Sequence, residues 1–210
     1  MVNMKKAIIL VVLLAFAVSA YFYPSMPERM ASHWNAEGNV DGYLQKSWGL
    51  FLLPAIIAAV GALLYFVPSI DPLRENFKSF RKEYDGLIMV ILLFLMFVHL
   101  QVLLWNAGFE VSFNMTMPVG VGMMMLYLGY IMKKVKRNWF VGIRTPWTLS
   151  SDRVWKKTHL LGSKLFLASG IIILLSSLVP DYTVIIILAT VLLAVIIAIV
   201  YSFLEFRKTL

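Results

Sequence analysis

Long apolar runs separated by short polar breaks dominate this chain, and the runs are too long for strands or helices of a small soluble core. A helix crossing the ~30 Å hydrocarbon layer needs roughly 20 mostly apolar residues. Six runs approach or reach that length: Ala7–Tyr23, Trp48–Phe66, Leu87–Trp105, Met115–Met132, Leu160–Val179 and Thr183–Leu204. Because lipid offers the backbone no hydrogen bonds, each run is expected to be helical throughout. The fourth is interrupted by Pro118, Gly120 and Gly122, and the fifth reaches full length only if its helix starts near Leu160, ahead of Gly162 and Lys164. The first has a competing reading as a secretory signal, since Lys5-Lys6, an apolar stretch and Ala17-Val18-Ser19-Ala20 supply the three expected regions. The pattern predicts an all-α polytopic membrane protein, residues 1–210 forming one membrane domain with six transmembrane helices.

Two polar segments are long enough to hold specific chemistry, the loop 24–47 and the stretch 133–164. In the first, Pro27 suits the start of a helix, Glu28 its positive end and Gly38 its termination, which predicts a short helix over Glu28–Glu37 with His33 and Glu37 on one side. Asn39 and Asp41-Gly42 favour a turn, and Trp34, Tyr43 and Trp48 suit an interfacial aromatic belt. His33, Asn35 and Asp41 are then candidates for a small polar site taking a peptide, a head group or a divalent cation, or for capping and turn formation. The shorter connection Asp71–Gly86 sets Phe77, Phe80 and Tyr84 at helical spacing against Lys78, Arg81 and Lys82, predicting a short amphipathic surface helix. Asn114-Met115-Thr116 fits a glycosylation sequon.

In the second segment Pro146 forces Thr145 toward an extended conformation, so Gly142–Thr148 is expected to be an ordered turn. Ser150 or Ser151 can cap a helix through Arg153–Leu161, with Asp152 at its positive end. On that helix Trp155, His159 and Gly162 share one face, while Arg153, Lys157 and Lys164 recur on another that could rest on lipid phosphates. Arg144, between Trp139 and Trp147, suits bidentate capture of a phosphate or carboxylate, or stacking.

Composition agrees with the pattern, at 60% hydrophobic and 14% charged residues. Charge adds an orientation. With the N-terminus inside, seventeen of the nineteen Lys and Arg residues face the cytoplasm, and only Arg29 and Lys46 lie outside. The positive-inside rule therefore predicts cytoplasmic N- and C-termini, and the anionic inner leaflet accounts for the basic balance without invoking nucleic acid. Cysteine is absent, which excludes disulfides and thiolate metal sites.

Ionisable side chains are nearly missing from the spans, His99 being the one candidate well away from the ends. Coupled transporters and channels need several such groups along a path, so one histidine with Gln101 makes a poor relay. His99 reads as a neutral imidazole hydrogen-bonded within the bundle, or as a functional group. Gly61, Gly129 and the pairs Ala58/Ala62 and Ala194/Ala198 suit close helix packing. The alternative of an enzyme acting on a phosphate-bearing lipid or cell-wall precursor would use Arg144 to grip phosphate and His159 as acid or base. No close carboxylate or nucleophile accompanies His159, and no cofactor or metal is implied.

The stretch RNWFVGIRTPWTLSSDRVWKKTH, residues 137–159, closely resembles the motif of the SdpI-type membrane proteins. The loop 24–47 resembles the domain of unknown function found at the N-terminus of that family, through Pro27, His33, Trp34, Asn35, Gly38, Asp41, Gly42, Tyr43 and Lys46. The chain departs from the pattern at Ala31 and Val40, where prolines are expected, and at Ser163, where a second glycine is expected. The resemblance implies a non-enzymatic membrane protein that protects its host from a peptide toxin on the outer face. In some members it also holds a soluble cytoplasmic repressor on the inner face. Membrane lipids are further partners, and direct nucleic-acid contact is not expected. Candidate binding or structural determinants are His33, Asn35, Asp41, His99, Asn138, Arg144, Trp147, Trp155 and His159.

Overall fold

A computed structural model describes residues 3–208. Helix α1 spans Met4–Phe22, with the Asn3 side chain capping it by accepting from the Lys6 N–H. A hairpin of β1, Arg29–Trp34, and β2, Val40–Gln45, leads into α2, Lys46–Ile70. The short α3, Arg74–Phe77, and one turn of 3-10 helix precede α4, Arg81–Asn106, which is followed by α5, Phe113–Met132. After the second polar segment come α6, Pro146–Ser150, then α7, Asp152–Ser176, and α8, Thr183–Arg207. Among the described residues, six helices are long and apolar enough to cross a membrane, matching the six predicted runs.

The spans assort into two groups of three. Helices α1, α2 and α4 pack around Ile8, Ala15, Ile57 and Leu92, while α7 lies against both α5 and α8; α4 and α5 join the groups. The α5–α7 contact is the tightest, because small residues bring the backbones together. A Cβ on Gly129 would lie 2.8 Å from the Leu167 nitrogen, and one on Gly170 would lie 2.9 Å from the Leu126 nitrogen. Ser163, in place of the glycine expected there, donates from Oγ to the Gly129 carbonyl at 2.6 Å. The departure from the family pattern thus becomes an interhelical hydrogen bond.

The segment read as a helix over Glu28–Glu37 is instead the antiparallel hairpin, in which His33 faces Gly42 and Trp34 faces Val40. A ten-residue helix is marginal without tertiary support, whereas the hairpin gains support from the spans beneath it. The Ala31 N–H donates to Asn106 Oδ1 at 2.7 Å, and Asn106 Nδ2 donates back to the Ala31 carbonyl at 3.0 Å. The Asn35 side chain accepts from the Asn39 N–H at 2.8 Å, and Gly38 turns the chain with φ of 83°. The proposed sequon is also accounted for otherwise, since Asn114 is buried and donates to the Ala36 carbonyl.

Two further expectations change in detail. Phe77, Phe80 and Tyr84 are fully buried and pack on one another, so the α3 region plugs the end of the bundle and does not float on a lipid surface. The helix expected over Arg153–Leu161 is the first part of α7, which runs unbroken through Gly162 and Lys164. The segment with signal-like character, α1, contributes Ser19 to a buried bridge across three helices. Ser19 Oγ donates to the Leu50 carbonyl at 2.7 Å and lies 2.9 Å from His99 Nε2. With the serine proton directed at Leu50, His99 Nε2 is the donor to Ser19, and its Nδ1 is buried with no hydrogen-bond partner among the described residues.

Candidate functional site

Chemistry-bearing side chains gather at the two ends of the bundle. At the hairpin end, His33 Nδ1 and Asp41 Oδ1 are 2.5 Å apart across the strands, with side-chain exposures of 70% and 46%. Asn35 does not join them, because its side-chain oxygen holds the turn. Among the described residues no group of three His, Asp or Glu side chains could hold a metal ion.

Beneath the hairpin lies a cavity of about 430 Å³ between α2, α4, α5 and α8. Trp34, Trp48, Leu53, Val102, Phe113 and Met117 are among the residues that line it. Trp34 stacks on Phe113 at 3.8 Å between ring centroids and meets Trp105 edge-on at 5.5 Å. Its indole nitrogen is buried with no hydrogen-bond partner among the described residues. Such an unpaired donor costs about 1–3 kcal/mol, which an acceptor brought by a ligand would offset. Sequence reasoning placed Trp34 in an interfacial belt and gave it no site role. Only the hairpin's register over the spans places it on this cavity.

At the opposite end, the stretch 133–164 is knotted into the helix ends by its own polar groups. Asn138 is completely buried and uses its whole amide: Oδ1 accepts from the Phe140 and Val141 N–H groups, and Nδ2 donates to the Lys136 and Val141 carbonyls. Asp71, a buried carboxylate that sequence reasoning passed over, accepts from the Leu73 N–H at 2.6 Å and the Trp139 N–H at 2.8 Å. It ties the α2–α3 connection to a segment 68 positions away in the chain. Where an ordered turn is expected over Gly142–Thr148, helix α6 begins at Pro146, Thr145 and Thr148 form a reciprocal capping box, and Thr145 Oγ1 also reaches Ser202 Oγ on α8 at 3.0 Å.

Trp155 and His159 stack at 4.0 Å on the buried side of α7. Trp155 Nε1 donates to the Val135 carbonyl at 2.9 Å. His159 Nε2 lies 3.1 Å from the Ile143 nitrogen and must accept its N–H, which puts the ring proton on Nδ1, 2.8 Å from the Trp155 carbonyl. Both ring nitrogens are therefore hydrogen-bonded to backbone groups. Replacing His159 by Phe is expected to lower the yield and unfolding temperature of detergent-solubilised protein, because the ring is kept but Ile143 loses its acceptor. A fold of unchanged stability would contradict this structural role.

Arg144 turns outward, whereas Trp147 is half-buried. Arg144 is exposed and donates through Nη1 to the Trp139 carbonyl, while Trp147 packs at 5.1 Å against Phe203 of α8. Trp139 and Phe140 are exposed beside Arg144. Lys157, expected to rest on lipid phosphate, instead pairs at 2.6 Å with the buried Glu205, which also binds Lys208 at 2.6 Å. Hydrogen bonding to Glu205 holds the Lys208 ammonium above its ordinary range, as the Glu83 carboxylate and Tyr130 hydroxyl do for Lys134. Lys133, Lys136 and Lys156 line an open cavity of about 670 Å³ at this end.

Comparison with known proteins agrees with both ends. Residues 134–202 match the SdpI/YfhL protein family, and residues 10–58 match a domain of unknown function, DUF1648. The chain is 30% identical over 209 residues to the immunity protein SdpI of Bacillus subtilis strain 168, covering 98% of each chain. No solved structure matches. Six membrane-length helices together with this kinship make it a multi-pass protein of the cell membrane. With identity at that level across nearly the full length of both chains, and both family segments in place, the chain belongs to the SdpI/YfhL family.

Proposed function

We propose that this immunity protein acts without catalysis, by engaging a membrane-active peptide toxin at the hairpin end and presenting the basic end to a soluble cytoplasmic repressor. The observation that carries the first part is the apolar cavity under the hairpin, lined by a tryptophan whose buried N–H lacks an acceptor. An apolar peptide segment entering from the bilayer would fill the cavity, and a backbone carbonyl would satisfy the indole. The second part is supported by exposed Trp139, Phe140 and Arg144 next to a lysine-rich rim, a surface suited to an acidic or aromatic protein partner. The distribution of Lys and Arg supports placing the basic end on the cytoplasmic side.

Cells expressing the protein are expected to survive a membrane-active antibacterial peptide that kills otherwise identical cells without it. Reporter tags in loop 24–47 and in stretch 133–164 are expected to appear on opposite sides of the membrane, the second inside. Equal killing across a panel of such peptides, at confirmed membrane expression, would remove the toxin assignment. Tags on one side would remove the topology on which both parts depend.

A further inference from the structure

Seventeen of the nineteen cationic residues are assigned to one end of the molecule, so the two at the other end stand out. Arg29 opens β1 and Lys46 opens α2, seventeen positions apart, yet the hairpin brings both to one open cavity of about 640 Å³. Each is held against an aromatic ring. The Lys46 ammonium lies 4.9 Å from the Tyr23 ring centroid, and the Arg29 guanidinium lies 5.8 Å from that of Tyr43. A π-face attracts a cation and leaves its charge uncancelled. The one acid at hand, Glu28, approaches Lys46 only to 3.6 Å and is 90% exposed, while the Lys46 side chain is only 14% exposed. Lys46 is thus tucked in and oriented, and its carboxylate neighbour is loosely attached.

The cavity sits at the head of a membrane-spanning helix. Ser47 lines it, and no side chain caps the start of α2, so the positive end of that helix adds to the field of the two cations. Immediately along the helix, Phe51 contacts Tyr23 at 6.3 Å between ring centroids and stacks at 6.2 Å on the exposed Phe16 of α1. A group held between Arg29 and Lys46 would therefore have a greasy track running from it into the bilayer. We propose that this cavity binds the phosphate of an anionic phospholipid in the leaflet at the hairpin end, with Arg29 and Lys46 as its cationic ligands, Tyr23 and Tyr43 as walls, and the acyl chains lying along α2. The shared chemistry with free phosphate is the doubly contacted anion; the apolar track selects the lipid. The site is separate from the cavity under the hairpin and does not depend on which side of the membrane the hairpin occupies.

The test uses the full chain in neutral detergent, titrated with phosphatidylglycerol, phosphatidylcholine or inorganic phosphate and read by native mass spectrometry. The lysine-rich end also attracts anionic lipid, so the informative quantity is the difference between the protein and its variants. Arg29→Gln with Lys46→Gln is expected to lose one retained phosphatidylglycerol, its affinity falling by about 30-fold for two surface cations. Arg29→Lys with Lys46→Arg is expected to keep it. Glu28→Gln, which removes the competing carboxylate and disturbs no packing, is expected to strengthen binding a few-fold and keeps the test valid should the double variant fold poorly. Unchanged phosphatidylglycerol stoichiometry in the double Gln variant, or no gain from Glu28→Gln, would overturn the site. Displacement of the lipid by inorganic phosphate would overturn the lipid assignment.

Discussion

Gly142→Ala is expected to unfold the basic end of the protein, with a loss on the order of 3 kcal/mol or more and little protein surviving extraction. Gly142 has φ of 117°, a region that an L side chain enters only with strain. It also packs where there is no room, since a Cβ there would lie 2.3 Å from His159 Nε2 and 3.3 Å from the far edge of the Trp155 ring. Neither ring can retreat cheaply. His159 is pinned through both nitrogens, and Trp155 is pinned through its indole N–H to Val135. Displacing His159 would also strip the Ile143 N–H of its acceptor. By contrast, Gly108 has a positive φ of 95° but open space around it, so Gly108→Ala is expected to carry backbone strain alone. Thermal unfolding of the two purified variants side by side separates the contributions. Equal stability of Gly142→Ala and the unaltered protein would contradict the account of the knot.

The second large effect is expected at the other end. Leu53→Trp combined with Met117→Trp places two bulky side chains in the cavity under the hairpin, from α2 and α5 respectively. Both positions are partly buried and neither makes a polar contact that folding needs. Protection against the peptide is therefore expected to fall to the level of cells lacking the protein, while membrane abundance and unfolding temperature stay close to those of the original. Growth inhibition by graded peptide, scored against the amount of protein in the membrane fraction, provides the measurement. Full protection with both tryptophans in place would show that the cavity is not where the peptide is met. Paired with Gly142→Ala, the result distinguishes a protein that cannot engage its ligand from one that cannot fold.

The family motif within residues 133–164 has a physical basis that differs from the one its chemistry suggested. A histidine, three arginines and three tryptophans in one basic segment resemble a binding site. In the folded protein Asn138, Trp155 and His159 point inward and satisfy backbone groups of the loop before α6, while Arg144, Trp139 and Phe140 are exposed. The segment is informative in sequence because an irregular backbone at a membrane boundary must have each polar group satisfied, and few residue combinations achieve that. The same logic explains Asp71, whose carboxylate supplies acceptors for two N–H groups in loops distant along the chain.

The sequence by itself determined the six spans, a serine-capped helix start at Ser150 or Ser151, of which the fold uses Ser151, and the family, because apolar length and cap residues act locally and a long motif is rarely matched by chance. Tertiary structure decided the hairpin in place of the Glu28–Glu37 helix, the inward roles of His99 and His159, and the cavity that Trp34 lines. Those outcomes rest on contacts such as Ala31 with Asn106 and Ser19 with His99, which join residues 75 and 80 positions apart. Periodicity and spacing report what a residue's near neighbours permit, whereas a hydrogen bond across that separation exists only after the helices have packed.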